Sequence, residues 1–562
     1  MGEGNNMGGA ERIWLKSYPA GVPAEVDLDE FQSIVDLFEK SVAAYGPRTA
    51  CGCMGKSISY AELDRLSRDF AAYLQSELKL APGTRVALMM PNVMQYPVCL
   101  FGALRAGYTV VNCNPLYTAR ELEHQLADSG AEAIVILENF AHVLQAALPH
   151  TALRHVVTTR LGDMLGFPKG VLVNFVVEHV KKMVPAWSIA HAVPWGKAMA
   201  RGAAAELKAP RLGHDDIAFL QYTGGTTGVS KGAILTHRNM IANLQQAHAW
   251  LRGTVKEGEE SLITALPLYH IFALTVSLVF FKLGASNVLI TNPRDIPGFV
   301  KELGRHRFTV ITGVNTLFNA LLNNADFARI DFSPLKISLG GGMAVQKAVA
   351  DKWKQVTGCT LIEAYGLTET APAVTINPLD LPEYNGAIGL PLPSTEVVIR
   401  DDAGQDVALG VAGELCVRGP QVTRGYWQRA DETALVMMAD GFLRTGDVAV
   451  MDAKGYCRIV DRKKDTILVS GFNVYPNEVE AVAAMHPGVL EVAAVGVPDV
   501  HSGEAVKLFV VKKDPNLTAE ALIAHCRESL TGYKIPHQVE FRDELPKTNV
   551  GKILRRALRD GA

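Results

Sequence analysis

Residues 217 to 240 read IAFLQYTGGTTGVSKGAILTHRNM. An apolar strand run enters Tyr222-Thr223-Gly224-Gly225-Thr226-Thr227-Gly228-Val229-Ser230-Lys231-Gly232, and a helix is expected to follow. Glycines let backbone N–H groups converge on an anion, and the hydroxyls and Lys231 add donors; the composition suits a polyphosphate. A Walker A loop has Ser or Thr after its lysine. Here Ser230 precedes Lys231 and Gly232 follows it, which disfavours a P-loop kinase or GTPase. The segment Gly228 to Gly232 also matches the G-x-S-x-G nucleophile elbow. Nothing downstream marks the Asp and His partners of such a serine, so a hydrolase acting through Ser230 stands as the rival from another class.

Four further stretches could do chemistry. Ile337-Ser338-Leu339-Gly340-Gly341-Gly342 is a strand run ending in three glycines, without G-x-G-x-x-G spacing, so a Rossmann dinucleotide site is not indicated. A bare triplet lets a planar ring lie against the backbone, although alone it reads as a tight turn. Glu363-Ala364-Tyr365-Gly366-Leu367-Thr368-Glu369-Thr370 places carboxylates and hydroxyls at a strand end. Such a set suits Mg2+ held by few protein ligands, with phosphate oxygens completing the shell. In residues 440 to 480, Asp447 after a Thr-Gly turn suits the two hydroxyls of a ribose, and Arg462 suits phosphate. Near the C-terminus, Pro546-Lys547-Thr548-Asn549-Val550-Gly551-Lys552-Ile553 puts a long flexible cation beside glycine.

The elements that position these residues follow from hydropathy patterning. Residues 60 to 79 place apolar residues at helical spacing. TRVALMM, YTVVNCN and AEAIVILE read as buried strands separated by the helical NVMQYPVCLFGALRAG and RELEHQLADSG. Strands alternating with helices imply a parallel sheet covered on both faces, and the alternation resumes from 217 to about 365. From about 385, short strands with Gly turns indicate a β-rich subdomain. After the charged run Arg462-Lys463-Lys464-Asp465 the last hundred residues carry strand and helix patterns of their own. The expected fold class is therefore α/β: a large N-terminal domain, residues 1–461, with alternating strand–helix subdomains plus a β-rich subdomain, and a small C-terminal α+β domain, residues 462–562.

Residues 163 to 187, DMLGFPKGVLVNFVVEHVKKMVPAW, interleave apolar residues with Lys169, Lys181 and Lys182. The expectation is a helix packed on the protein's own core. The alternative is an amphipathic segment on an anionic membrane surface.

Composition narrows the classes. The chain has 562 residues, 48% apolar and 20% charged, as in soluble globular enzymes, and is too long for one core. A formal net charge of −3 makes it a poor general nucleic-acid binder, since such binding rests on phosphate neutralisation. Eight scattered cysteines without CxxC spacing read as buried thiols in a reducing compartment. There is no run of 18 apolar residues to span a membrane. The opening MGEGNNMGGAERIW contains no apolar signal core, so a cytoplasmic location is expected.

Taken in order and spacing, YTGGTTGVSKG, YGLTE, RTGD, DRKKD with Gly471, and NVGK resemble the phosphate loop, acidic motif, ribose motif, hinge and terminal lysine of the adenylate-forming acyl-CoA synthetase superfamily. WLKSYPAGVPAEV, NPLYTARELEHQLADSGA and LPLYHIFALT resemble its bacterial long-chain fatty-acid–CoA ligases. The resemblance extends over most of the chain, with Ser230 where many members carry proline.

The resemblance implies two half-reactions. A fatty-acid carboxylate first attacks the α-phosphate of ATP, giving acyl-AMP and pyrophosphate; the thiol of coenzyme A then displaces AMP. Carried over by motif, Thr223 and Glu369 hold Mg2+, and Tyr222 and Thr223 with Gly224, Gly225, Thr226, Thr227, Gly228 and Lys231 cradle the phosphates. Gly340, Gly341, Gly342, Tyr365, Gly366 and Thr368 line the adenine pocket, Asp447 binds ribose, and Arg462 binds ribose or phosphate. Lys552 bridges the carboxylate and the α-phosphate. The C-terminal domain turns about Lys464 and presents Gly471 to coenzyme A. His270 sits where the family builds its acyl tunnel and is a candidate gate. The expected partners are fatty acid, ATP and coenzyme A, with no nucleic acid; peripheral contact with the inner leaflet of the membrane and a homodimer are left open. The nearest rivals are a fatty acyl-AMP ligase, disfavoured because RTGD runs to DRKKD without that branch's insertion, and a medium-chain or aryl acyl-CoA synthetase.

Overall fold

The structure is a computed structural model that describes residues 12–223, 230–470, 472–499, 502–548 and 551–559. Gly224, Gly225, Thr226, Thr227, Gly228 and Gly471 lie outside the described residues.

The helices start where side chains can satisfy their first N–H groups. Ser59 and Glu62 form a reciprocal capping box on Tyr60–Ser76, and Thr118 and Glu121 do the same for Ala119–Ser129. That second helix stops at Gly130, whose φ of 61° suits a residue without Cβ. On Tyr60–Ser76, Leu63, Ser67, Phe70 and Leu74 recur at helical spacing and all are buried.

Among the described residues the strands form four sheets. A seven-stranded sheet has at its centre the parallel strands Arg85–Met89, Thr109–Asn112 and Ala133–Leu137. A nine-stranded sheet runs in parallel through Ser261–Thr264, Val310–Gly313, Ile337–Gly340 and Leu361–Gly366 before antiparallel strands finish one edge. Such strands read as continuous apolar runs because helices cover both faces. Gln95–Arg105 is buried on every side. One continuous core holds residues of both sheets together with this helix and Ile271–Lys282, and Phe101 meets the ring of Phe281 edge-on at 5.5 Å.

The β-rich subdomain is a four-stranded antiparallel sheet: Glu396–Arg400, Gly413–Arg418, Leu443–Met451 and Cys457–Arg462. The chain then enters a five-stranded sheet built on the long hairpin Val489–Asp499 and Gly503–Lys512, flanked by the helices Pro476–Ala483 and Ala519–Ser529. The large-domain, small-domain architecture and the α/β class are as the sequence predicts.

Two local expectations are corrected. First, the strand Ile217–Thr223 is not followed directly by a helix. It pairs antiparallel with Lys231–Thr236, and only then does Thr236 cap the helix His237–Trp250. Ala233 and Leu235 are buried in a strand rather than on a helix face. Second, residues 163 to 187 do not bury their apolar face. Lys169–Phe175 continues into a single π-turn, Val176–Val180, while Phe167 is 89% exposed, and Val171, Leu172, Phe175, Val180 and Met183 are exposed too.

Candidate functional site

A cavity of ≈ 1720 Å3 opens where the two large sheets, the four-stranded sheet and the C-terminal domain meet. Every described residue of the sequence-derived site lines it except Gly340: Tyr222, Thr223, Lys231, His270, Gly341, Gly342, Tyr365, Gly366, Thr368, Glu369, Asp447, Arg462, Lys464 and Lys552. Gly340 is the buried end of Ile337–Gly340, where a Cβ would come within 2.8 Å of Val345 Cγ2.

One side of the cavity is set by strand ends. Asp447, on Leu443–Met451, faces Arg462 across the ladder. Its Oδ2 accepts the Tyr365 hydroxyl at 2.5 Å, and its Oδ1 lies 3.4 Å from Arg462 Nε. Burial, then Asp447, raises the Tyr365 phenol well above its ordinary value, so it stays a neutral donor. The glycines here keep space that a side chain would fill. A Cβ on Gly366 would lie 1.9 Å from the Pro372 carbonyl oxygen, and one on Gly341 would lie 3.2 Å from both the Ala364 carbonyl and the Phe272 ring.

Elsewhere in the cavity wall, Thr223 and Lys231 are opposite one another in the hairpin. Lys231 is ion-paired with Glu432, and its ammonium also lies 5.3 Å from the centroid of the Tyr426 ring. Tyr426 donates its hydroxyl to Glu369 Oε1 at 2.7 Å. One tyrosine therefore ties Lys231 to the carboxylate of Glu369.

Lys552 enters from the C-terminal domain. Thr316 Oγ1 donates to the Gly551 carbonyl at 2.9 Å, and the lysine stem passes Gly342, whose φ is +78°; a Cβ there would be 3.2 Å from Lys552 Cε. Burial first, and Arg462 second, push the ammonium down to about 8, while Asp447 and Glu369 pull it back up. His270 caps Ile271–Lys282 by accepting the Phe272 N–H on Nδ1 at 3.3 Å. Burial and the nearby Lys552 push it down to about 3, which makes it a neutral cap at pH 7.

The cavity continues as an apolar branch. The helix His237–Trp250 contributes Asn243, Ala247 and Trp250 along one face, and Ile271–Lys282 contributes Phe272, Val276 and Phe280. At 1.5 Å per residue, residues 272 to 280 give about 12 Å of wall leading away from Lys552.

Some contacts at the site were invisible in the sequence. Glu363 is 5% exposed, takes the Tyr384 hydroxyl at 2.8 Å and the Val345 N–H at 3.2 Å, and is pushed up to about 7 by burial. Asp128 accepts the Tyr222 hydroxyl at 2.7 Å and is ion-paired with Arg429. Tyr384, Asp128 and Arg429 lie outside the motifs in sequence, and no local spacing marks them. Ser230 does not occupy an elbow: it precedes a hairpin strand, and His124 Nε2 lies 2.9 Å from its backbone carbonyl oxygen.

Residues 38–427 match the family described as AMP-binding enzyme, and residues 478–552 match the AMP-binding enzyme C-terminal domain. The chain is 60% identical over 553 residues to a long-chain-fatty-acid–CoA ligase of Escherichia coli O157:H7, covering 98% of both chains. It is 54% identical over 554 residues to a long-chain-fatty-acid–CoA ligase of Haemophilus influenzae, again covering 98% of each. Among solved structures, an anthranilate CoA ligase in complex with anthranoyl-AMP superposes with a TM-score of 0.84 at 25% identity, over 95% of this chain and 98% of that one.

Proposed function

We propose how the residues of this chain, which belongs to the AMP-binding enzyme family and ligates a long-chain fatty acid to coenzyme A through an acyl-adenylate, divide its two half-reactions. The observation that carries the reading is the meeting of Lys552, from the C-terminal domain, with Asp447, Arg462 and Glu369 in one cavity beside an apolar branch.

In the first half-reaction the fatty-acid carboxylate attacks the α-phosphorus of ATP and pyrophosphate leaves. The protein has little covalent work in such a transfer; it positions groups and spreads charge. Asp447 accepts the ribose hydroxyls, and Tyr365 with the backbone at Gly341 and Gly342 frames the base. Lys231 exchanges Glu432 for phosphate oxygens. Lys552, protonated below about pH 8, bridges the attacking carboxylate and the α-phosphate, where negative charge accumulates. The alkyl chain lies along Val276 and Ala247, and neutral His270 stands at the mouth of that branch.

Thr223 and Glu369 fit Mg2+. Both are hard oxygen donors in the cavity, too few to cage a cation alone, and no group of three or more His, Cys, Asp or Glu among the described residues could hold a metal. These two residues would hold the ion, which when bound neutralises charge on the phosphate oxygens. In the second half-reaction the thiol of coenzyme A attacks the acyl-AMP carbonyl and AMP leaves. The domains then act as residues 1–461 and 462–562, turning about Lys464, with Gly471 brought toward the thiol's path.

The deciding experiment measures AMP release from ATP and Mg2+ with palmitate, with and without coenzyme A. Strong release only when coenzyme A is present is expected. Negligible release in both reactions would overturn the reading.

A second reading rests on residues 167–183. Exposed Phe167, Leu172 and Phe175 share this surface with Lys169, Lys181 and Lys182, which suits peripheral contact with the anionic inner leaflet of the cytoplasmic membrane. Among the described residues no helix is long and apolar enough to cross a membrane. Flotation with anionic vesicles is expected, and its persistence in a Phe167→Ser, Phe175→Ser variant would refute this surface.

A further inference from the structure

Asp461 lies in Cys457–Arg462, on the large-domain side of Lys464, yet its carboxylate is bound mainly from the other side. Its side chain is wholly buried. Oδ1 accepts the Arg462 N–H at 2.7 Å, its contact within the strand. The two other hydrogen bonds come from the C-terminal domain: Asn477 N–H donates to Oδ2 at 2.8 Å, and Arg555 Nη1 donates to Oδ1 at 3.1 Å. Arg555 stands three residues past Lys552, so the carboxylate that grips it also fixes the base of the segment carrying that lysine.

Arg555 does not depend on Asp461 for its charge balance. Glu480, on Pro476–Ala483, takes Nε at 2.9 Å and Nη2 at 2.8 Å, and Asp465 lies 3.6 Å from Nη1. When the C-terminal domain turns, Arg555 carries Glu480 with it and remains paired, while Asp461 stays in its sheet. Burial pushes the Asp461 carboxyl up to about 6 against the pull of Arg555, which leaves it ionised at pH 7 and able to hold the guanidinium. Among the described residues beyond Lys464, two other hydrogen bonds cross the same interface, Thr316 to the Gly551 carbonyl and Asn319 to the Leu490 carbonyl, both 2.9 Å. They are neutral; the bond at Asp461 is charge-assisted and therefore the stronger kind.

We propose that Asp461 is a positioning residue for the adenylation step: through Asn477 and Arg555 it latches the C-terminal domain in the orientation that places Lys552 in the cavity, and the latch opens when the domain turns about Lys464. The inference rests on the two-step reading above.

The test uses the full chain as Asp461→Ala and Asp461→Asn, with Lys552→Ala alongside. Two rates are measured: pyrophosphate release from ATP and palmitate in a single turnover, and palmitoyl-CoA formation from supplied palmitoyl-AMP and coenzyme A. Asp461→Ala is expected to slow the first about 10- to 100-fold, the equilibrium weight of one hydrogen bond to a charged group. The second rate should be unchanged or faster, and Asp461→Asn, which keeps an acceptor for Asn477, should fall between. The loss should appear in kcat with KM for ATP unmoved, because the latch does not touch nucleotide. Equal loss in both steps with a lowered Tm would reduce Asp461 to a structural residue and overturn the latch; so would normal rates in both. If Lys552→Ala separates the two steps and Asp461→Ala does not, the latch alone fails. If Lys552→Ala slows both steps alike, the division of labour beneath it fails, and the latch with it.

Discussion

Asp447 and Tyr365 stand on strands whose neighbours are fixed by backbone ladders, whereas Lys552 reaches the same cavity on a segment that meets the large domain through side-chain hydrogen bonds. Both regions contribute charge to one site, but at different mechanical cost. A ladder residue moves only if its sheet breaks. A domain held by a few polar contacts can leave while both partners remain folded. Groups needed in both half-reactions belong on the first kind of support, and a charge needed in one belongs on the second.

The comparison breaks most visibly at Lys552. Lys552→Ala is expected to lower acyl-AMP formation about 100- to 1000-fold, the usual loss for one preorganised charge-stabilising donor. Conversion of supplied acyl-AMP to acyl-CoA should persist, as read by separate half-reaction assays. The wall should behave oppositely. Asp447→Ala should raise KM for ATP and weaken use of supplied acyl-AMP alike, each by about 10- to 100-fold, since a charged hydrogen-bond acceptor is lost in both steps. Nucleotide titrations in the two assays would measure it; loss confined to one step would undo the distinction.

A smaller effect is expected in the apolar branch. Ala247→Phe should shift preference toward shorter acids by about tenfold in kcat/KM, because one methylene or a ring's width in an apolar pocket discriminates by only about 1–3 kcal/mol. A chain-length series from octanoate to palmitate would show it. The mildest effect is on pH. Lys552 has a folded pKa below its ordinary value and acts protonated, so adenylation in kcat/KM should fall as pH rises through about 8. Lys552→Arg should remove that descending limb, because guanidinium stays charged. An unchanged limb in this variant would assign the titration to another group.

Much of the fold, and the gathering of the candidate residues in one cavity, is legible in the sequence. Strand–helix alternation through residues 60 to 138 predicts the order of buried strands and capped helices found there, because burial on both faces leaves a period that sequence can carry. The pattern misled in two places. Ala233 and Leu235 occupy a hairpin strand, a distinction that a short apolar run cannot make. The apolar face of residues 163–187 looks like a core helix by the same periodicity, but nothing in a one-dimensional pattern says whether the other half of a core exists.

By itself the sequence determined the chemistry available: glycines where backbone can approach closely, carboxylates and hydroxyls as hard oxygen donors, and a lysine at the far end of the chain. These types are dictated locally, by backbone freedom and by the charge each group carries. Tertiary structure alone decided their company. Glu432 beside Lys231, Tyr426 beside Glu369, and Arg555 beside Asp461 are pairs 201, 57 and 94 positions apart. Such pairs exist only after sheets stack and one domain docks on another, and it is these neighbours that set the burial and the field in which each motif residue works.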